Sequence, residues 1–315
     1  MAEPAPLIDT PGAPVPAGGS AEWYAGAGGA RLRAALFPPA GEARGSVVLS
    51  PGRTEPIEKY FEVVDSLNRR GFCVLVHDWR GQGLSMRMLA DRTLGHAQGY
   101  KPFLSDYAAL LAAFETRLPK PWIAMGHSMG GCLTLLALAM QERRFSGCIL
   151  SAPMLGLVVP GVPTGLAKIV ARLLVTLGLG GLPVPGRRQG EPAPFEGNIL
   201  THDPQRYARN EAQLVACPDL ILGPPTWGWL DFALTAVGIL QDGPGATRIA
   251  TPLSVLAAGD EALVDNRGSA LVAARIPGAR YQVVPGAHHE ILQERDDIQA
   301  PFWREFEDLL VRSGV

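Results

Sequence analysis

Gly126-His127-Ser128-Met129-Gly130-Gly131 joins two stretches of opposite character. Before it, Trp122 to Met125 is a short apolar run of the kind that forms a buried strand. After it, Leu133, Leu136 and Met140 recur at helical spacing. Glycines two positions to either side of Ser128 permit a sharp strand-to-helix turn, in which neighbouring side chains would have no room. Such a turn holds the serine in a strained conformation and presents its hydroxyl at the end of a sheet. It also aims the Met129 backbone N–H and the positive end of the helix at an oxygen that gains charge during acyl transfer. A helix-starting turn without chemistry would need the same glycines, so the rest of the chain must supply the partners of a nucleophile.

Working outward, the pattern of strand then helix repeats. Ser46 to Ser50 reads as a buried strand ending in the turn Pro51-Gly52, and Ile57, Phe61, Val64 and Leu67 mark a helix that Gly71 stops. Phe72 to His77 is a second strand. A helix from about Ser105 to Leu118 precedes Trp122 to Met125, and Gly147 to Ser151 follows the Ser128 helix as a fourth strand. The alternation resumes with a strand Leu253 to Ala258, a helix from about Arg267, a strand Tyr281 to Val284 and a helix from about Asp296 to Val311. This order predicts an α/β fold, a mostly parallel sheet with helices on both faces. Between Pro153 and Gln241 the alternation fails, and this segment is expected to be an inserted helical cap, 153–241, on a core formed by 21–152 and 242–315. Residues 1–20, rich in Pro, Ala and Gly, read as a mobile tail without the basic start or apolar run of a secretory signal.

A serine hydroxyl needs a base to take its proton and a third group to orient the base. Asp260 follows the strand Leu253 to Ala258 after one glycine, at the carboxyl end of a strand, where open α/β sheets place their sites. The last strand is followed by Pro285-Gly286-Ala287-His288-His289, and spacing alone does not choose between the two histidines. The order Ser, Asp, His suits a nucleophile on a strand-to-helix turn. Asp265, just before a helix, suits an N-cap better than catalysis. His77 with Asp78 ends a strand in a structural setting, and His96, His127 and His202 have no second ligand at metal-like spacing. After the first strand, Gly52 would let the Arg53 backbone N–H approach a substrate oxygen as a second oxyanion donor beside Met129.

Composition excludes other classes. The chain has 315 residues, 47% hydrophobic and 18% charged, with a net charge of −2, so no basic field exists to gather nucleic acid. Cys73, Cys132, Cys148 and Cys217 contain no C-x-x-C pair and read as reduced core thiols in a cytoplasmic protein. The uncharged stretch Gly147 to Ala167 is interrupted by Pro153, Pro160 and Pro163, which argues against a membrane span. Gly81-Gln82-Gly83 lacks the third glycine of a dinucleotide fingerprint, with Met86 in its place. The proposed chemistry requires no metal and no organic cofactor.

Together Pro51-Gly52-Arg53-Thr54-Glu55, Asp78-Trp79-Arg80-Gly81-Gln82-Gly83-Leu84-Ser85, Gly126 to Gly131, Gly259-Asp260 and Gly286-Ala287-His288-His289 give the chain, from Trp23 to Leu309, a family likeness. It resembles the monoglyceride lipase, lysophospholipase and serine-aminopeptidase-like branch of the α/β-hydrolases. The resemblance implies an α/β-hydrolase fold and a serine hydrolase whose insert covers an acyl pocket. In lysophospholipase-like members the catalytic histidine stands two residues before an apolar pair such as Ile-Leu; here Glu290-Ile291-Leu292 follows His289, which implies His289 rather than His288. One departure is Pro51-Gly52, where many relatives carry His-Gly.

The expected catalytic set is therefore Ser128, His289 and Asp260, acting on a lipid-like ester, a monoacylglycerol or a lysophospholipid. An acyl chain of about twelve methylenes gains up to ~10 kcal/mol on leaving water, so an apolar groove is required. Leu166, Ile169, Val170 and Leu173 on a cap helix, with Trp227 and Trp229, are the candidates to line it. Lys168 and Arg172 on the same helix would allow a peripheral contact with the inner membrane surface. For Arg53 a surface salt bridge with Glu55 is the ordinary expectation. Peptide hydrolysis or acyl transfer in the same site, and a non-catalytic protein holding an apolar ligand, are the alternatives.

Overall fold

The computed structural model describes residues 3–159, 161–185 and 194–315. Pro160, one of the three prolines expected to break the uncharged run, lies outside the described residues. Among those described, nine strands form one sheet. Strands β1 (Glu3–Ala5), β2 (Ser20–Ala25) and β3 (Arg31–Phe37) make an antiparallel edge, and β3 joins the rest antiparallel to β5. The others are β4 (Gly45–Ser50), β5 (Phe72–His77), β6 (Trp122–His127), β7 (Phe145–Ser151), β8 (Leu253–Ala258) and β9 (Arg280–Val284). These six run parallel, and the order across the sheet is β1-β2-β3-β5-β4-β6-β7-β8-β9. Strands covered on both faces need continuous apolar sequence, and β4, β5, β6 and β8 are buried at every position.

Helices α1 (Phe61–Arg69) and α8 (Asp296–Arg312) cover one face, where Phe61, Val64, Phe302 and Phe306 enter the core. Helices α2 (Lys101–Phe114), α3 (Ser128–Ala139) and α7 (Asn266–Arg275) cover the other with Phe103, Leu110, Leu133, Leu136 and Val272. The α/β layering read from the sequence is present, and each parallel strand ends near its predicted position. The helix predicted from Ile57 is a 3-10 turn at Ile57–Tyr60 before α1 begins.

Residues 153–241 leave the sheet between β7 and β8 and carry α4 (Thr164–Thr176), α5 (Pro204–Ala216) and most of α6 (Trp227–Asp242). Ala167 and Ala171 bring α4 close against Leu230 and Leu234 of α6. The opposite side of α6 sends Phe232, Ala233, Ala236 and Leu240 into the main core, so this helix belongs as much to the body as to the insert. Asp203 and Thr226 cap α5 and α6 by accepting backbone N–H groups, and Asp265 caps α7 as its position suggested.

Residues 3–20 depart from the expectation of a mobile tail. They lie along the body: β1 pairs with β2, the Ile8 N–H donates to Glu58 at 3.2 Å, and Arg33 donates to the Pro6 carbonyl at 3.0 Å. Leu7 and Val15 pack on the α1 side of the core. Proline and alanine gave no amphipathic signal, because the segment is held by backbone pairing and a few scattered apolar anchors rather than by a periodic face.

Candidate active site

The turn from β6 to α3 is built as its glycines required. Ser128 has φ +49°, a left-handed conformation that costs a non-glycine residue free energy and persists only when its surroundings enforce it. A Cβ on Gly130 would stand 2.1 Å from the Ser50 carbonyl oxygen and 2.3 Å from that of Pro51, and one on Gly126 would stand 2.7 Å from the Cα of Gly131. The end of β4 therefore passes directly against the start of α3. The Ser128 carbonyl accepts the Met154 N–H at 3.0 Å, which ties the turn to the segment leaving β7.

His289 meets this serine: its Nε2 lies 2.9 Å from Ser128 Oγ. On the other side of the ring, Nδ1 lies 2.7 Å from Oε2 of Glu261, not from Asp260. The expectation for Asp260 is corrected by the backbone path beyond β8. Gly259 N–H donates to Val284 O at 2.9 Å and Asp260 N–H to Ala287 O at 2.8 Å, so the chain runs on beside the β9 exit. The chain turns at Gly259-Asp260 just past β8, which leaves Asp260 exposed and the Glu261 side chain buried. Oε1 of Glu261 accepts the N–H groups of Leu263 at 2.8 Å and Val264 at 3.2 Å, which fixes the carboxylate. Burial pushes its pKa up, but the bond to His289, the charge of that ring and the two N–H groups hold it below the usual carboxylate range. His288 faces the other way, its ring 3.7 Å from that of His202.

The loop after β4 is held from every side. Trp79 Nε1 donates to Pro51 O at 2.9 Å and Gln82 Nε2 to Gly52 O at 3.0 Å. Gly52 N–H donates to Glu55 Oε2 at 2.5 Å, so this amide is already committed within the loop. Glu55 is not the surface partner expected for Arg53. It is buried, accepts the Tyr60 hydroxyl at 2.5 Å and pairs with Lys59 at 3.1 Å; Lys59 in turn bonds Glu290, the neighbour of His289. Burial raises the Glu55 pKa, yet Lys59, His127, Tyr60 and Gly52 together lower it to about 2. This ionic cluster beneath the loop was not legible in sequence, because a Glu and a Lys at helical spacing read as a solvated pair. The Arg53 side chain donates to the Gly223 carbonyl and lies 5.3 Å over the Trp229 ring, and burial lowers its pKa to about 9.

The remaining titratable candidates have structural partners. His127 Nδ1 is 3.0 Å from Ser151 O and His96 Nδ1 is 2.8 Å from Thr226 Oγ1. His77 is buried 3.3 Å from Ser50 Oγ, and Asp78 forms a 2.7 Å ion pair with Arg33. The thiols of Cys73, Cys132 and Cys148 are buried and pushed up by that burial, and no cysteine among the described residues is in a disulfide.

Of the six residues expected to line an acyl groove, the fold brings only Trp229 beside the loop at Arg53. Leu166, Ile169 and Leu173 point to solvent, at 52%, 67% and 56% exposure; Val170 is half-buried, and Trp227 packs where α4 meets α6. The small residues Ala167 and Ala171, not the leucines, face the protein, since only they permit the close approach of α4 to α6. No helix of the described residues is long and apolar enough to cross a membrane.

Comparison with known proteins places the fold among characterised relatives. The family model described as serine aminopeptidase, S33, matches residues 41–296. Lysophospholipase L2 of Escherichia coli strain K12 is 35% identical over 272 residues, 81% of this chain and 76% of that protein. A monoacylglycerol lipase of Mycolicibacterium smegmatis is 27% identical over 277 residues, covering 86% and 90%. Among solved structures, a soluble variant of the Saccharomyces cerevisiae monoglyceride lipase, in complex with a substrate analog, superposes with a TM-score of 0.75 at 19% identity, over 98% of this chain and 99% of that one.

Proposed function

We propose, from the premise that this chain belongs to the serine aminopeptidase S33 family of α/β-hydrolases, that it cleaves a lysophospholipid or monoacylglycerol through Ser128, His289 and Glu261. The chain is a serine hydrolase, and its curated relatives include a lysophospholipase and a monoacylglycerol lipase. The observation that carries the reading is the continuous bonded path from Glu261 through both nitrogens of His289 to Ser128 Oγ, at 2.7 and 2.9 Å.

In this reading His289 takes the hydroxyl proton as Ser128 Oγ attacks the ester carbonyl, and Glu261 holds the tautomer and stabilises the imidazolium. The backbone N–H groups of Arg53 and Met129 receive the charged oxygen. His289 then gives its proton to the departing alcohol, and water repeats the sequence on the acyl-serine. The turn strain at Ser128 and the charge cluster under Pro51-Gly52 hold both donor positions before substrate arrives, which is where such sites gain their rate.

The lipid substrate also explains the outward face of α4. Leu166, Ile169, Leu173 and Leu177 form an exposed apolar stripe on the insert itself, continued by Leu179 and Leu182. A peripheral contact of this stripe with a membrane surface would deliver single-chain lipids to the site.

The test compares wild type and Ser128→Ala on lysophosphatidylcholine, a monoacylglycerol and an aminoacyl amide. Both lipid esters should be cleaved faster than the amide, and the variant should lose roughly 10⁴- to 10⁶-fold in turnover. Preferential cleavage of the amide would replace the lipid reading with a peptidase, and unchanged activity in the variant would end the assignment to Ser128.

A further inference from the structure

Beside the candidate active site, but facing away from it, His202, His288 and Glu294 offer one ligand atom each within 4.8 Å of one another. Two come from the core around the β9 exit, and His202 comes from the insert just before α5, 92 residues from Glu294 in sequence. That separation is why spacing gave no sign of a metal site.

The cluster is built rather than accidental. Glu294 is fully buried, and its carboxylate is aimed by three backbone or ring donors: His288 N–H at 2.8 Å, His202 N–H at 2.9 Å and His202 Nδ1 at 2.8 Å. The two imidazoles face one another at 3.7 Å. His288 Nδ1 is buried without a hydrogen-bond partner, an arrangement that costs free energy unless something occupies it.

We propose that His202, His288 and Glu294 bind a divalent transition metal, zinc being the best match, with a fourth position left to water. Two imidazole nitrogens and one carboxylate are the donor set of borderline cations, whereas calcium and magnesium require more oxygens. Tetrahedral zinc needs donors roughly 3.3 Å apart, so the side chains draw in by about an ångström, which the facing rings of two loop residues can supply. As the metal takes His202 Nδ1, the proton of that nitrogen passes to Nε2 of the same ring, or to solvent if the ring was doubly protonated. The ion would tie the insert to the loop that carries His289, since His288 is its immediate neighbour.

Binding is read without any substrate, so it stands or falls separately from the hydrolase reading. Chelator-treated wild type is titrated with zinc against a coloured competing chelator, and with cobalt while the visible spectrum is followed. The expected result is one equivalent per chain, a cobalt d–d band and a raised Tm with zinc but not magnesium. His288→Ala and His202→Asn should each weaken binding more than about tenfold, while Ser128→Ala should not. Asparagine can keep the bond to Glu294, so His202→Asn decides the matter even where His288→Ala is unstable. Absence of a bound equivalent in wild type, or equal binding by His202→Asn, would overturn the site.

Discussion

Glu261 Oε2 lies 2.7 Å from His289 Nδ1, whereas the adjacent Asp260 projects into solvent. In the proposed triad the acid that orients the base is thus the second of two neighbouring carboxylates. Glu261→Gln should present the wrong hydrogen-bonding partner to the ring and lower kcat/KM by about 10³- to 10⁴-fold. Asp260→Asn should change it by no more than about threefold. Steady-state hydrolysis of p-nitrophenyl esters by the two variants separates them.

The contact of α3 with the end of β4 sets a second outcome. A methyl at Gly130 would meet two backbone carbonyls, at 2.1 and 2.3 Å, neither of which can rotate away. Gly130→Ala should destabilise the fold by about 1–3 kcal/mol in urea unfolding, and displace the Pro51-Gly52 loop enough to reduce turnover.

Glu55 has a structural charge role. Removing its charge leaves Lys59 with Glu290 as its remaining carboxylate partner in a buried setting, which weakens the cluster without stranding the lysine. Glu55→Gln should lower Tm at pH 7. Its folded-state pKa of about 2 is depressed, so the stability it confers is present above its unfolded value near 4.5 and is lost as pH falls toward 2. The variant should lack that acid-dependent step.

Two buried histidines give a different window. Burial lowers His77 to about 3 and His127 to about 4, below the ordinary 6.5. The unfolded chain therefore binds protons that the folded chain refuses, and stability falls as pH drops below 6.5. Each contributes a slope of about 1.4 kcal/mol per pH unit within its window. Urea midpoints at pH 7.5, 6, 5 and 4.5 should decline steadily, and His77→Phe should flatten the decline.

How much of this could be read beforehand follows from range. The parallel core strands are apolar at consecutive positions, and the turn at Ser128 carries its glycines locally, so both were legible. Likeness to relatives, not spacing, separates His289 from His288 in the sequence; in the fold His289 Nε2 lies 2.9 Å from Ser128 Oγ while His288 packs against His202. Asp260 against Glu261 depends on how the chain turns after β8 at Ala258, and nothing in Gly259-Asp260-Glu261 states which of the two carboxylates that turn carries inward. The α4 stripe misled for a related reason. Its large apolar residues looked like the buried face, but Ala167 and Ala171 hold the contact with α6. The Glu55-Lys59-Glu290 cluster depends on a contact across the chain that spacing does not encode.

The most direct test of the central claim is to treat wild type, Ser128→Ala and Glu261→Gln with a fluorophosphonate and follow the adduct by intact-protein and peptide mass spectrometry. One adduct per chain on Ser128 is predicted in wild type, none in Ser128→Ala, and a much slower adduct in Glu261→Gln. Labelling at another residue, or at an equal rate in Glu261→Gln, would contradict a serine activated through His289 and Glu261.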